Sequence, residues 1–160
     1  MRHSIILLAV LLTVSVYGQE VTAIRKAVEQ INKAGNYTVK TVPNEYFAGK
    51  GRVTDNGIEI RGFYRSGELK KMEYSVGLSA WNYLTEYFFD RGRLVFVHLK
   101  KYRISGEKGY LKKPVLISES RRYYRNGKLI KTVGKSDKDQ GSTDDFSQAA
   151  ELKKDLEDYP

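Results

Sequence analysis

The chain of 160 residues has no cysteine, one tryptophan and two histidines, and outside its first segment it has no long apolar run. Absence of cysteine excludes disulfides, thiol catalysis, thiolate metal sites and an N-terminal lipid-anchored cysteine. With one of its two histidines at position 3, inside the leader described below, a histidine-rich zinc or iron site cannot be assembled. No nucleophile motif, phosphate-binding glycine loop or dinucleotide fingerprint occurs. The nearest approach, Ala48-Gly49-Lys50-Gly51-Arg52, lacks the spacing of a phosphate loop and reads as a turn or strand irregularity. No catalytic residue, metal or cofactor is expected.

What is present is charge and aromaticity. Twenty-eight Lys and Arg stand against nineteen Asp and Glu, a net charge of +9, with twelve tyrosines and 41% apolar residues. That apolar share argues against disorder, and a chain of this length buries about 68–70% of its unfolded surface without covalent staples.

The first segment reads as an address. Met1-Arg2-His3 is a positive start, Ile5 to Val16 is almost uninterrupted apolar sequence, and Val16-Tyr17-Gly18 offers a cleavage site. The apolar stretch is shorter than the roughly 20 residues of a membrane-spanning helix. Residues 1–18 are therefore expected to be a signal peptide, leaving one domain over 19–160 that is exported, soluble after cleavage, and periplasmic or extracellular. His98 is then the only imidazole of the mature chain.

Val21, Ala23, Ile24, Ala27, Val28 and Ile31 fall at helical spacing, which predicts a helix over 20–34. Ser142 and Asp145 resemble a capping box ahead of Phe146, Ala149, Leu152 and Leu156, predicting a second helix over 143–158. Between them the period changes to two. Strands are expected at 46–55, 58–65, 68–76, 82–90, 93–103, 115–125 and 128–133, with an edge strand at 37–42 and a long loop from Ile104 to Pro114. Asn56-Gly57, Ser66-Gly67, Arg91-Gly92 and Asn126-Gly127 mark the hairpin turns. The expected fold is α+β: one curved antiparallel meander of about six to eight strands within 37–134, with the two helices against one face.

Three hairpins share a phrase, aromatic-aromatic-x-x-Gly-x-Leu, at 63–69, 88–94 and 123–129. Two-residue turns would pair Tyr64 with Leu69, Phe89 with Leu94 and Tyr124 with Leu129, all on the core face. The flanking pairs are opposite in charge in two hairpins, Arg65 with Glu68 and Asp90 with Arg93. The third sets Arg125 against Lys128, a like-charge pair that normally destabilises. Counting outward from the turns, Glu59 should face Tyr74 and Glu86 should face Val97. His98 should share a face with Leu94 and Phe96, partly buried and bonded to a neighbour such as Thr85 or a tyrosine.

These phrases, with the leader, the N-terminal helix, Gly67-Glu68-Leu69-Lys70-Lys71, Glu86 to Phe96 and Arg122 to Ile130, make the chain resemble a group of small exported bacterial proteins without assigned activity. The resemblance spans most of 20–133 and implies a fold, not a catalytic residue.

Charge is uneven along the chain. Residues 100–135 hold twelve Lys and Arg against Glu107 and Glu119, whereas 136–160 hold eight acids against three lysines. One reading is a basic, tyrosine-containing hairpin surface, Lys112, Lys113, Arg121, Arg122, Tyr123, Arg125 and Lys128, that binds an acidic glycan, a membrane surface or an acidic protein. Against it stands the bland reading that these cations solvate exposed strands and protect edges. Nucleic acid is disfavoured, since export removes the ligand and no recognition motif is present. The expectation is a non-catalytic exported binding or accessory module. The alternative is a carrier of an apolar ligand in a cavity lined by Tyr83, Tyr87, Phe89, Phe96 and Tyr102. A hydrolase using Glu86 or His98 is a third class. The acids Asp137, Asp139, Asp144 and Asp145 lack the spacing of a calcium loop.

Overall fold

The computed structural model describes residues 2–107, 109–135 and 144–160, with side chains from Gly18 onward. Helix α1 (Arg2–Lys33) is followed by strand β1 (Thr38–Val42), a short helix α2 (Asn44–Gly49), strands β2 (Ile58–Arg65), β3 (Glu68–Gly77), β4 (Trp81–Asp90), β5 (Arg93–Gly106), β6 (Gly109–Arg125) and β7 (Lys128–Gly134), and helix α3 (Asp145–Asp158). The seven strands form one antiparallel sheet in the order β1 to β7. Among the described residues no helix is long and apolar enough to cross a membrane.

Two expected elements differ. Residues 46–55 are not a strand: α2 and a turned loop occupy them, and Gly49 to Arg52 are the end of that helix, where Arg52 N–H bonds Phe47 C=O at 2.9 Å. Ile104 to Pro114 is no loop either, because β5 and β6 run on into a hairpin that closes at Gly106 opposite Gly109. Helix α1 is continuous through the Gly18-Gln19 junction, so its start is not at 20. For α3 the cap is Asp144, whose carboxylate accepts from Ser147 N–H at 2.9 Å; Ser142, Asp137 and Asp139 lie outside the described residues.

Three of the four expected hairpin turns form; Asn56-Gly57 instead ends the loop from α2 into β2, with positive φ at Gly57 only. Ser66-Gly67, Arg91-Gly92 and Asn126-Gly127 all have positive φ at both positions, between 49° and 75°, the conformation of type I′ hairpin turns. Tyr64 faces Leu69, Phe89 faces Leu94 and Tyr124 faces Leu129. Beyond these pairs, however, each hairpin slips by one residue at its aromatic dipeptide, leaving Lys70, Val95 and Ile130 as the extra residues of three bulges. A one-residue slip changes every partner outward of it. Glu59 therefore faces Ser75, not Tyr74, and Glu86 faces His98, not Val97. The bulge at Val95 also parts Leu94 from Phe96 and His98, which lie on opposite faces.

The helices pack on opposite faces of the sheet, not together on one. On the α3 face, Val42, Ile60, Met72, Tyr87, Phe89, Val97 and Tyr124 meet Phe47 of α2 and Ala149, Leu152 and Leu156 of α3. Nine of these eleven are at most 1% exposed, and each such side chain stabilises the fold by roughly 1.5–3 kcal/mol relative to exposure. Gly62 lies under Leu156, whose Cδ1 would stand 2.9 Å from an added Cβ, so the absent side chain lets α3 approach. On the α1 face a smaller cluster joins Phe88, Phe96 and Tyr123 to Val21 and Ile24. Leu129 departs from its expected place: it is 54% exposed, because β7 is the sheet edge.

Candidate functional site

The acidic helix is tied to the α3 face by two buried carboxylates. Asp145, 3% exposed, accepts from Arg122 at 2.8 Å and from the Tyr124 hydroxyl. At the other end Asp155 accepts from Arg52 at 2.9 Å, Lys50 at 3.1 Å and Tyr46 at 3.2 Å. Burial, reinforced by the Asp145 charge, pushes the Tyr87 and Tyr124 hydroxyls far above their ordinary range. Tyr87 donates to Gln148 at 2.6 Å.

The α1 face carries a different arrangement. From β2 to β6 its charges alternate in contact: Arg61 with Glu73 at 3.3 Å, Glu73 with Lys71 at 2.9 Å, Lys71 with Glu86 at 2.6 Å, and Glu86 with Lys100 at 2.7 Å. His98 then bridges Glu86, through Nδ1 at 3.3 Å, to Glu119, through Nε2 at 3.0 Å, and Glu119 reaches Arg121 at 2.7 Å. Burial alone would raise the Glu86 carboxyl, but hydrogen bonds from His98, Lys100 and Lys71 outweigh it and hold the group far below the usual carboxylate range. Glu119 is lowered chiefly by its bond to His98. These are the partners of His98, in place of the expected Thr85 or tyrosine. Both ring nitrogens face carboxylates, so neither is free to take a proton from a substrate, and Glu86 has no proton to give near neutrality. The geometry gives the hydrolase reading no support.

The sequence-selected residues are dispersed by the period of the strand. Arg121 and Tyr123 point to the α1 face, Arg122 and Tyr124 to the α3 face. Tyr123 is buried beneath Arg25, whose Nε donates to its hydroxyl at 3.2 Å. Lys112 and Lys113 are exposed where β6 holds more residues than β5 between the Arg103–Val115 and Ser105–Tyr110 pairs. With Pro114 they blunt the open edge of β6 beside exposed Val115, Leu116 and Ile117. The five aromatic residues likewise line no common cavity. Tyr87 and Phe89 are at most 1% exposed on the α3 face, where Tyr83 also lies over Lys101; Phe96 is on the other face; Tyr102 borders a shallow 280 Å³ cleft with Glu59, Arg61 and Asn82.

Arg125, by contrast, lines a concavity of about 590 Å³ at the turn end of the sheet, and Lys128 stands opposite it across the β6–β7 turn. The β4–β5 turn, the β6–β7 turn, α1 and α3 converge there, and Ala23, Ala27, Ala149 and Ala150 are too small to fill the space between them. Its floor is Ile24, Phe89, Leu94, Tyr124 and Phe146; its rim is Arg91, Arg93, Arg125 and Lys153, with Asp90 the single lining acid. Among the described residues Arg91 and Arg93 make no ion pair. Arg125 has only a 3.4 Å contact to Glu20, and Lys153 lies 4.2 Å from the centre of the Phe89 ring.

No protein-family model, curated protein or solved structure matches the chain. Geometry alone must then decide among the concavities. A second groove, about 500 Å³ on the other side of α1, has an aromatic floor of Phe88, Phe96 and Tyr123, but its cations are answered within the protein: Lys33 by Glu29 at 2.6 Å, Arg121 by Glu119 and Arg25 by Tyr123. The turn-end groove combines an apolar floor with two arginines, Arg91 and Arg93, that have neither an ion pair nor a side-chain hydrogen bond among the described residues.

Two residues of that rim also go against local preference. Arg91 has φ 49° at the first turn position, where Asn, Asp or Gly is favoured and a left-handed L-residue costs roughly 1–2 kcal/mol. Arg125 sits directly opposite Lys128. Like charges so placed cost about 0.2–1 kcal/mol. Departures from consistent local chemistry concentrate where function demands them. Of these residues, sequence reasoning selected Arg125, Lys128 and Phe89; Arg91 was missed, although an arginine in a type I′ turn is a visible signal.

Proposed function

We propose that the chain is an exported, non-catalytic binding module of bacterial type, soluble in the periplasm or outside the cell once residues 1–18 are removed, and that it takes an anionic ligand with an apolar portion in the turn-end groove. The observation that carries this reading is the pair of guanidinium groups, Arg91 and Arg93, that have no ion pair among the described residues and stand over an apolar floor. Arginine forks hold carboxylate or phosphate in two hydrogen bonds, while a rigid floor of rings and aliphatic side chains takes the remainder. The basic surface and the aromatic pocket weighed from sequence as separate ideas here become one site with different membership.

Calorimetric titration of residues 19–160 with dodecyl phosphate tests it. Dodecyl maltoside and inorganic phosphate serve as the apolar and anionic halves alone. Dodecyl phosphate is expected to bind at least tenfold more tightly than either, and Arg93→Ala to weaken it by roughly tenfold, the loss of one charge-assisted bond. Equal binding of the maltoside would overturn the anionic part of the reading.

A further inference from the structure

Resting on that reading, we propose that the turn end of the sheet docks on an anionic lipid bilayer, the groove receiving part of a lipid from the membrane surface. In a seven-stranded meander the β2–β3, β4–β5 and β6–β7 turns must all lie at one end. That end exposes Arg65, Arg91, Arg93, Arg125 and Lys128, with the exposed side chain of Leu129 beside them. Its acids are few. Glu68 is committed to Lys70 at 2.7 Å and to the Gly92 N–H at 3.0 Å, Glu20 meets Arg125 at 3.4 Å, and Asp90 stands opposite Arg93.

The opposite end is organised otherwise. There Lys50 and Arg52 are bound to Asp155, Asp55 accepts from Ser79, and exposed Lys112 and Lys113 lie beside the edge residues Val115, Leu116 and Ile117 and line none of the three concavities described above. The path of the chain agrees with this orientation. Glu20 lies against Arg125, so the helical segment that precedes it leaves the domain beside the cationic rim. A chain whose leader is still held in a membrane would present this end to the lipid. Clustered cations beside an anionic leaflet attract it additively within a Debye length, and an apolar patch among them adds insertion of a nonpolar group.

The test is co-sedimentation of residues 19–160 with vesicles at about 0.1 M salt, where charges act over roughly 10 Å. Vesicles of equimolar phosphatidylglycerol and phosphatidylcholine are expected to carry the protein down, and pure phosphatidylcholine vesicles to leave it in solution. Each rim charge should contribute on the order of fivefold. The variant Arg91→Asn, Arg93→Gln, Lys128→Glu should thus lose vesicle binding by about a hundredfold or more, whereas Lys112→Glu, Lys113→Glu should keep it. Since Arg91→Asn and Lys128→Glu relieve unfavourable local chemistry, loss of binding in a variant that melts no lower than the parent is not unfolding. Equal sedimentation with both vesicles, retention by the rim variant, or equal loss in the Lys112 and Lys113 variant would each overturn the docking. If dodecyl phosphate still binds the groove while anionic vesicles do not, docking falls alone; if both fail, the groove reading falls with it.

Discussion

The two faces of this sheet bury charge in different ways. On the α3 face the paired carboxylates are two and enclosed: Asp145 holds Arg122 of β6, and Asp155 holds Lys50 and Arg52 just after α2, beside a closed apolar core. On the α1 face, seven side chains and a histidine form a chain of contacts across five strands, half open to solvent, around a smaller core. The first arrangement fixes a helix; the second neutralises a surface. Together they answer Arg52, Arg61, Lys71, Lys100, Arg121 and Arg122, whereas Arg91 and Arg93 at the turn end stand beside an apolar groove with no ion pair among the described residues. The comparison teaches that net charge was the wrong quantity to follow. Which cations have partners was the informative one.

Breaking the α3 face should cost most. Asp145→Ala leaves Arg122 nearly enclosed without its carboxylate, and about 3–5 kcal/mol of stability should be lost in chemical denaturation. Leu152→Ala, which opens a cavity in a site 1% exposed, should cost about 2–5 kcal/mol. If either loss is under about 1 kcal/mol, α3 is not the element that closes this face.

On the α1 face, Glu86→Gln leaves Lys71, Lys100 and His98 gathered around a neutral group and should destabilise by a smaller amount, with a distinct pH signature. Because folding lowers the Glu86 and Glu119 carboxyls, their contribution is fully present above the ordinary carboxylate pKa near 4.3 and is lost as pH falls toward the folded values. Stability measured from pH 7 downward should therefore decline below about pH 5 in the parent and decline less steeply in Glu86→Gln. Parallel curves would place the acid-sensitive groups elsewhere. The smallest effect has the opposite sign: Arg91→Asn should raise stability by about 1 kcal/mol and Lys128→Glu by up to about 1 kcal/mol, read as an increased melting temperature.

Much of the fold was legible because it rests on local chemistry. Dipeptides such as Asn126-Gly127 set turns, and the turns set the Tyr64–Leu69, Phe89–Leu94 and Tyr124–Leu129 pairs. The bulges were not legible, since nothing in Val95 or Ile130 marks an extra residue. That single slip hid the contact between Glu86 and His98. The site was read least well. A run such as Arg121-Arg122-Tyr123-Tyr124 looks like one patch along the chain, yet alternate side chains go to opposite faces. The groove depends on Ala23 and Ala150, far apart in sequence and unremarkable singly. Two local irregularities pointed to it: Arg125 opposite Lys128, and an arginine at the first position of the Arg91-Gly92 turn.

The central claim is that the turn-end cations are held against local preference for a ligand, and Arg91→Asn tests it most directly by melting and dodecyl phosphate titration on the same sample. The account predicts a higher melting temperature together with roughly tenfold weaker binding, one charge-assisted contact removed. Unchanged affinity in the more stable variant would contradict it.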